Sequence, residues 1–272
     1  MTSNIRRLQL IDTDILKKVV AVLEQHQLNY YMIGGTLLGA IRHKGFIPWD
    51  DDMDIAMPRK DYELFLNQFA QELPDNFKVV NFKTDKNYKY YITRIENMDY
   101  KVREIRNQNF YESFAHVSID IFPIDGTPDN KFLRKMYYFR VLFYRALVSL
   151  VQKNNIDRAR KRGLLEKLII FIGTHLPLQK FFNANKLQYK IDKLLRQQRP
   201  GSQFAGTIMG AYRVKEIVPR YYFGQGKYYE FEGYRFKGPS EYDAYLKHMY
   251  GDYMKLPSKE QRERKRHFEI IS

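Results

Sequence analysis

The chain has 272 residues, no cysteine and a formal charge of +15. That length can bury a full core, and the missing thiols exclude disulfides and thiolate metal sites and fit a reducing compartment. The opening residues, MTSNIRRLQLIDTD, hold no apolar secretory core, and no uncharged apolar run reaches the ~18 residues of a membrane span, so neither element is expected. The basic excess is local: Lys131 to Arg199 carries 17 Lys or Arg against three acids, Asp157, Glu166 and Asp192. An imbalance of this kind implies a polyanionic partner, namely nucleic acid, an acidic membrane face or a phosphate-rich substrate.

In chain order, Ile11, Ile15, Leu16, Val19, Val20 and Leu23 follow a helical period and predict a helix from Leu8 to Gln27, with Asp12, Thr13 and Asp14 as capping candidates. Tyr31-Met32-Ile33 predicts a short buried strand. Gly34 and Gly35 follow, then a helical piece, Thr36 to His43, and a basic turn, Arg42-His43-Lys44-Gly45, leading to Trp49. Four carboxylates then occupy five positions: Asp50, Asp51, Asp52 and Asp54. Packed carboxylates repel, and burial strengthens the repulsion. On an extended chain Asp52 and Asp54 share a face, with Met53 turned to the core. Such paired oxygen ligands suit a hard ion, Mg²⁺ or Mn²⁺, with phosphate oxygens completing its shell. A Gly-Gly pair at a helix start lets backbone N–H groups approach an anion. A phosphate cradle beside metal-binding acids is the apparatus of phosphoryl or nucleotidyl transfer.

Pro58 is expected in a helix first turn, with the helix continuing from Asp61 to Leu73. Phe77–Phe82 and Tyr90–Ile95 are expected as strands, with a further one near Tyr100 to Ile105. In Phe114–Asp125, Val117, Ile119 and Ile121 alternate with Ser118, Asp120 and Phe122, as on a strand. Asp120, inside so apolar a strand, requires a partner. That partner is either Arg94 or a metal shared with Asp52 and Asp54. Asp125 is expected as a turn or cap residue. Arg94 and Arg103 are each either cross-strand ion pairs or phosphate clamps.

Asp129 to Gln198 predicts three helices: Lys131–Gln152, Arg158–Ile172 and Leu178–Gln198. Basic and aromatic together, this region is either an ordinary lobe with solvated faces or a surface for an anionic membrane or phosphorylated glycan. No nucleic-acid motif accompanies it, so nucleic acid is not expected as a partner. The chain then returns to strands, with a hairpin around Glu232-Gly233 and a helix from Glu241 to Tyr250. The tail from Ser258, with Arg262, Arg264, Lys265 and Arg266, is expected to be mobile or partner-facing.

Gly34-Gly35-Thr36-Leu37-Leu38-Gly39, followed by Arg42 to Ile55 (RHKGFIPWDDDMDI), resembles the LicD family of the nucleotidyltransferase-fold superfamily. The segment FEGYRFKGPSEYDAYLKHMYGDYMKLP resembles the C-terminal pattern of that family. The resemblance implies an α/β (α+β) fold, a mixed twisted sheet flanked by helices, with a catalytic core over 1–128, a basic helical lobe over 129–200 and a return to the core over 201–272. It implies phosphocholine transfer from CDP-choline to a sugar hydroxyl of a lipid-linked, teichoic-acid-like cell-surface glycan, at the inner face of the cell membrane. Asp52, Asp54 and Asp120 are then the catalytic metal ligands. Gly34, Gly35, Thr36, Arg42, His43, Lys44, Asp50 and Arg94 serve substrate phosphates, and Trp49 belongs to an aromatic box for choline. Two alternatives stay open: the same site moving phosphoethanolamine or a polyol phosphate, or a non-catalytic basic module that binds membrane or glycan.

Overall fold

Strand periodicity in Phe114–Asp125 and helical periodicity in Leu8–Gln27 both become real elements, and they set the layers of the molecule. The structure is a computed structural model, described over residues 4–104, 114–152, 173, 176–197, 201–258, 260 and 268–271. In chain order the elements are α1 (Asn4–Gln25), β1 (Tyr31–Met32), α2 (Gly34–His43), β2 (Asp54–Pro58), α3 (Arg59–Leu64), β3 (Phe77–Val80), β4 (Thr93–Glu104), β5 (Phe114–Gly126), α4 (Lys131–Val151), α5 (Ala184–Arg196), β6 (Phe204–Gly206), β7 (Ile217–Pro219), β8 (Lys227–Phe231), β9 (Tyr234–Gly238), α6 (Tyr242–Tyr250) and β10 (Phe268–Ile270).

The sheet runs β1-β2-β5-β4-β10, with β3 beside β4 and β6 leading from the end of β5 to β7. β2 and β5 are parallel. The other pairings in this sheet are antiparallel. The fold is therefore a mixed α/β sheet flanked by helices, as expected. The parallel pair matters most for function, because it sets Asp54 in register with Asp120.

Ile15, Leu16, Val19 and Leu23 of α1 are fully enclosed, in one cluster with Ile55, Met57, Ile119 and Ile121. β8 and β9 turn through Glu232 and Gly233, whose φ values of 53° and 78° are those of a tight mirror-image turn. Glu232 donates its backbone N–H to Lys44 O at 2.9 Å. Its carboxylate accepts from Phe46 N at 3.0 Å and from Arg6 at 2.5 Å. The hairpin thus clamps the basic turn of the motif.

Several local expectations change. Pro58 closes β2, and the following helix is short and irregular: α3, then a π turn over Phe65–Phe69 and a 3₁₀ turn over Ala70–Glu72. The two strands expected near residues 90–105 are one, β4, which keeps pairing with β5 across a register shift between Asn97 and Lys101. In the C-terminal tail, residues 268–270 add to the edge of β4, and Glu269 pairs with Arg103 at 2.7 Å. Edge hydrogen bonds hold that segment in place of the expected mobility. Arg262, Arg264, Lys265 and Arg266 lie outside the described residues, as does the expected helix Arg158–Ile172. Among the described residues no helix is long and apolar enough to cross a membrane.

Asp125 is neither turn nor cap. It sits buried on β5 and accepts two hydrogen bonds from Arg59, at 2.7 and 2.6 Å. Arg59 also reaches Asp192 of α5 and Glu63, each at 3.1 Å, while Arg196 and Lys83 complete the cluster. Burial pushes the Asp192 carboxyl up, but Arg59, Tyr91, Lys83 and Arg196 outweigh it and hold the group below the usual carboxylate range. This cluster and an apolar layer of Phe82, Tyr91, Tyr137, Val141, Ile191 and Leu195 join the basic helices to the sheet. Arg59→Ala would leave buried acids uncompensated, so we expect a loss of about 3–5 kcal/mol in urea unfolding. A loss below about 1 kcal/mol, the level of an exposed pair, would show that the cluster is not a structural joint.

Candidate active site

The site forms where three local necessities meet. β1 ends at Met32, α2 begins at Gly34, and β2 begins at Asp54. Gly34 has φ +56°, a left-handed conformation that disfavours any side chain. A Cβ on Gly34 would lie 3.4 Å from Asp54 Oδ2, and one on Gly35 would lie 2.7 Å from Asp50 Oδ2. The glycine pair therefore lets two carboxylates approach the start of α2, whose dipole favours them. Thr36, buried, accepts a hydrogen bond from Asp54 N at 2.8 Å and so pins the first residue of β2. The hydroxyl of Tyr245 on α6 hydrogen-bonds to the Gly34 backbone.

Asp54 and Asp120 are neighbours across the parallel pair, strands about 4.8 Å apart. Asp120 N donates to Met53 O at 2.9 Å, and Met53 is turned inward as expected. Burial, then repulsion from Asp52, Asp120, Asp50 and Glu216, pushes the Asp54 carboxyl well above its ordinary range. Arg94, opposite Asp120 on β4, donates from Nε to Asp120 Oδ1 at 2.9 Å and stacks 4.7 Å from the Tyr90 ring centre. Cross-strand pairing is thus the contact that the geometry gives Arg94.

The other motif residues surround this centre. Arg42 donates to Tyr253 O at 2.7 Å. Burial and the adjacent Arg42 push His43 below the ordinary histidine range, and its ring meets Trp49 edge-on at 6.2 Å. Lys44 is exposed at the left-handed end of α2, with φ 58°. Trp49 is half-buried against the core. Asp50 is buried, and its carbonyl accepts from Gln9 of α1 at 2.9 Å.

Four further contributors come from elsewhere in the chain. Glu216 is buried, accepts from Tyr212 N at 2.6 Å and from the Thr207 hydroxyl, and acts on Asp54. Tyr212 and Tyr250 meet edge-to-face at 5.9 Å, and both feel the Asp50 charge. Asp12 of α1 is completely enclosed, with no hydrogen-bond partner on either carboxylate oxygen. Burial, then Asp52, Asp51 and Asp120, drives its carboxyl well above the ordinary range. A signal for Asp12 was present: it falls on the apolar stripe, one turn from Leu8 and from Leu16. For Glu216 and the tyrosines no local signal exists, because their neighbours are set by long-range packing.

The donor chemistry fits a hard divalent ion. The acids offer oxygen only, and burial, reinforced by their mutual repulsion, lifts the carboxyls of Asp54 and Asp12 out of the ordinary range. Among the described residues no three acids or histidines already converge on one ligating point, and one oxygen of Asp120 is held by Arg94.

A mixed sheet with a Gly-Gly helix start and crowded acids on adjacent strands defines a nucleotidyltransferase-type site. Residues 27–147 match the family LicD/FKTN/FKRP, nucleotidyltransferase domain. The lipopolysaccharide cholinephosphotransferase LicD of Haemophilus influenzae is 31% identical over 270 residues, which is 94% of this chain and 93% of that protein. The ribitol 5-phosphate transferases FKRP of mouse and human are each 49% identical over 43 residues, 16% of this chain and 9% of those proteins. The chain belongs to the LicD family.

Asp12 gives a stability test in EDTA. Its folded pKa lies above the unfolded value of about 3.9, so the fold is favoured fully below that pH and loses stability as pH rises towards the folded pKa. Asp12→Asn should therefore melt higher than the parent at pH 8, by roughly 2–4 °C per kcal/mol relieved, with a smaller gain at pH 5. A lower melting temperature at pH 8 would mean that the carboxylate has a stabilising partner.

Proposed function

We propose that this chain is a metal-assisted phosphoalcohol transferase acting on a glycan, with CDP-choline as donor and a sugar hydroxyl of a lipid-linked, teichoic-acid-like glycan as acceptor. The observation that carries the proposal is the under-neutralised group of Asp50, Asp52, Asp54 and Asp120 at the start of α2. The full-length likeness to a cholinephosphotransferase supports the choice of head group.

In this reading the acceptor oxygen attacks the phosphorus that bears choline, the bond to the CMP oxygen breaks, and Asp120 takes the hydroxyl proton. Mg²⁺ or Mn²⁺, bound by Asp52, Asp54 and Asp120, would neutralise charge on the donor pyrophosphate. In the same reading Arg94 would leave Asp120 and clamp a phosphate oxygen with its guanidinium fork. Arg42, His43 and Lys44 extend the cationic side of the site. Gly34, Gly35 and Thr36 shape its floor.

Choline carries a fixed positive charge, and Tyr212 and Tyr250 offer aromatic faces near Asp54 and Asp50. These two, with Trp49, are the proposed box. The site works at the inner face of the cell membrane, where nucleotide-activated donors and lipid-linked acceptors meet.

A second reading, transfer of a polyol phosphate, is favoured by the short match to ribitol 5-phosphate transferases. It keeps the same acids and changes the pocket that holds the alcohol. A binding-only module would have no use for the crowded acids.

Asp54→Asn should lower transfer about 100-fold or more while the melting temperature in EDTA at pH 8 stays level or rises, since burial and the neighbouring acids disfavour the Asp54 carboxylate. Activity within a few-fold of the parent would remove Asp54 from the chemistry. Tyr250→Leu should raise KM for CDP-choline about threefold to thirtyfold and leave CDP-alcohols with an uncharged head group unaffected. Equal effects on every donor would place Tyr250 outside the choline box.

A further inference from the structure

α4 has two apolar faces, and among the described residues one packs inside the protein while the other stands exposed. Tyr137 and Val141 are buried, with Tyr144 and Val148 packed partly beside them against α5 and the sheet. At about 100° per residue, Phe132, Met136, Phe139 and Phe143 fall on a separate stripe, well away from that buried face. Phe132 is 68% exposed, Phe139 71% and Phe143 51%. Phe139 and Phe143 stack on each other at 6.2 Å, outside the core. Phe181, just after α4's neighbouring turn Leu178–Lys180, is 77% exposed. Aromatic exposure concentrated on one helix face exceeds what scattered surface residues require.

The charges beside the stripe say what covers it. Lys131 and Lys135 lie on one flank and Arg140 on the other, all exposed. Lys180, Lys186, Lys190 and Lys193 carry the same sign along the adjoining segment and α5. Among the described residues from 131 to 197 there is one acid, Asp192, and it is buried against Arg59. The exposed surface of α4 and α5 is therefore aromatic and cationic, with no acid to repel an anionic partner. A nucleic-acid duplex would meet the cations but leave the phenylalanine stripe in water, and the sequence carries no single-strand-binding motif. A folded acidic protein would need a complementary apolar groove.

We propose that the α4 stripe is a membrane-docking surface: Phe132, Phe139 and Phe143 enter the interface of an anionic bilayer, and Lys131, Lys135 and Arg140 sit among its phosphates. The helix lies in the plane of the interface, as its one-sided exposure demands. The surface stands on exposure and charge alone and does not depend on the donor assigned above. Its consequence for that function is simple, since a lipid-linked acceptor is confined to the same plane.

The test is sedimentation of the full chain with phosphatidylcholine vesicles, with and without phosphatidylglycerol, at low and high salt. We expect binding to the phosphatidylglycerol vesicles, weakened by salt. Replacing Lys131, Lys135 and Arg140 by Gln should cost on the order of fivefold per charge. Replacing Phe132, Phe139 and Phe143 by Ser should cost on the order of tenfold per ring. All six side chains are off the core, so circular dichroism and the melting temperature should stay at parent values. No vesicle binding, equal binding to both compositions, or a phenylalanine variant that binds like the parent would each overturn the proposal. Analytical ultracentrifugation adds a further discriminant: self-association abolished by the serine variant, without vesicle binding, would make the stripe a contact between copies of this chain.

Discussion

Two carboxylates on neighbouring parallel strands, Asp54 and Asp120, set the terms for everything around them. Their repulsion cannot be relieved by moving apart, because each sits inside a hydrogen-bonded register. The surroundings supply partial relief. Arg94 balances Asp120, Thr36 fixes the backbone of Asp54, and the glycines at 34 and 35 let the carboxylates lie against a helix start. Glu216 and Asp12, both buried, bring two more carboxyls to the group, and burial pushes both towards their neutral forms. The site remains short of positive charge, and a bound cation would supply it and so admit a substrate phosphate.

The same two strands carry a second acid cluster at their other end, and the contrast is informative. There Asp125, Asp192 and Glu63 face Arg59, Arg196 and Lys83 in close contact. That cluster is balanced within the protein and joins the basic helices to the sheet. Sequence distance separates the two ends by a few residues: Asp54 from Arg59, and Asp120 from Asp125. One end stores repulsion and the other is neutral, so the direction of the parallel pair polarises the sheet into a reactive end and a structural end.

The basic region follows the same logic on a larger scale. Of its two described acids, Asp129 precedes α4 and Asp192 is turned inward to serve the structural cluster, which leaves the outward faces of α4 and α5 without an acid. Aromatic side chains that do not fit the core stand among those cations. Packing on one face of α4 and exposure on the other are thus two results of a single helix with more apolar residues than its neighbours can cover.

Features that depend on local period or turn chemistry were legible in the chain itself. The strand around Val117, Ile119 and Ile121, the turn at Glu232-Gly233, the helix start at Gly34-Gly35 and the crowding at Asp50–Asp54 follow from steric and electrostatic rules over a few residues. Arg94 beside Asp120 was one of two local readings, and strand register selected it. Asp125 was misjudged because its partner, Arg59, lies 66 residues away, and residues 268–270 join the edge of β4 across more than 160 residues. Asp12 resembled a helix cap until the packing of α1 enclosed it, and Glu216 and Tyr250 gained their place when the C-terminal segments closed over α2. Local sequence determined which residues carry charge and which face they share. Only the tertiary structure decided which of those charges are balanced, because balance depends on neighbours that the chain brings together from its far ends.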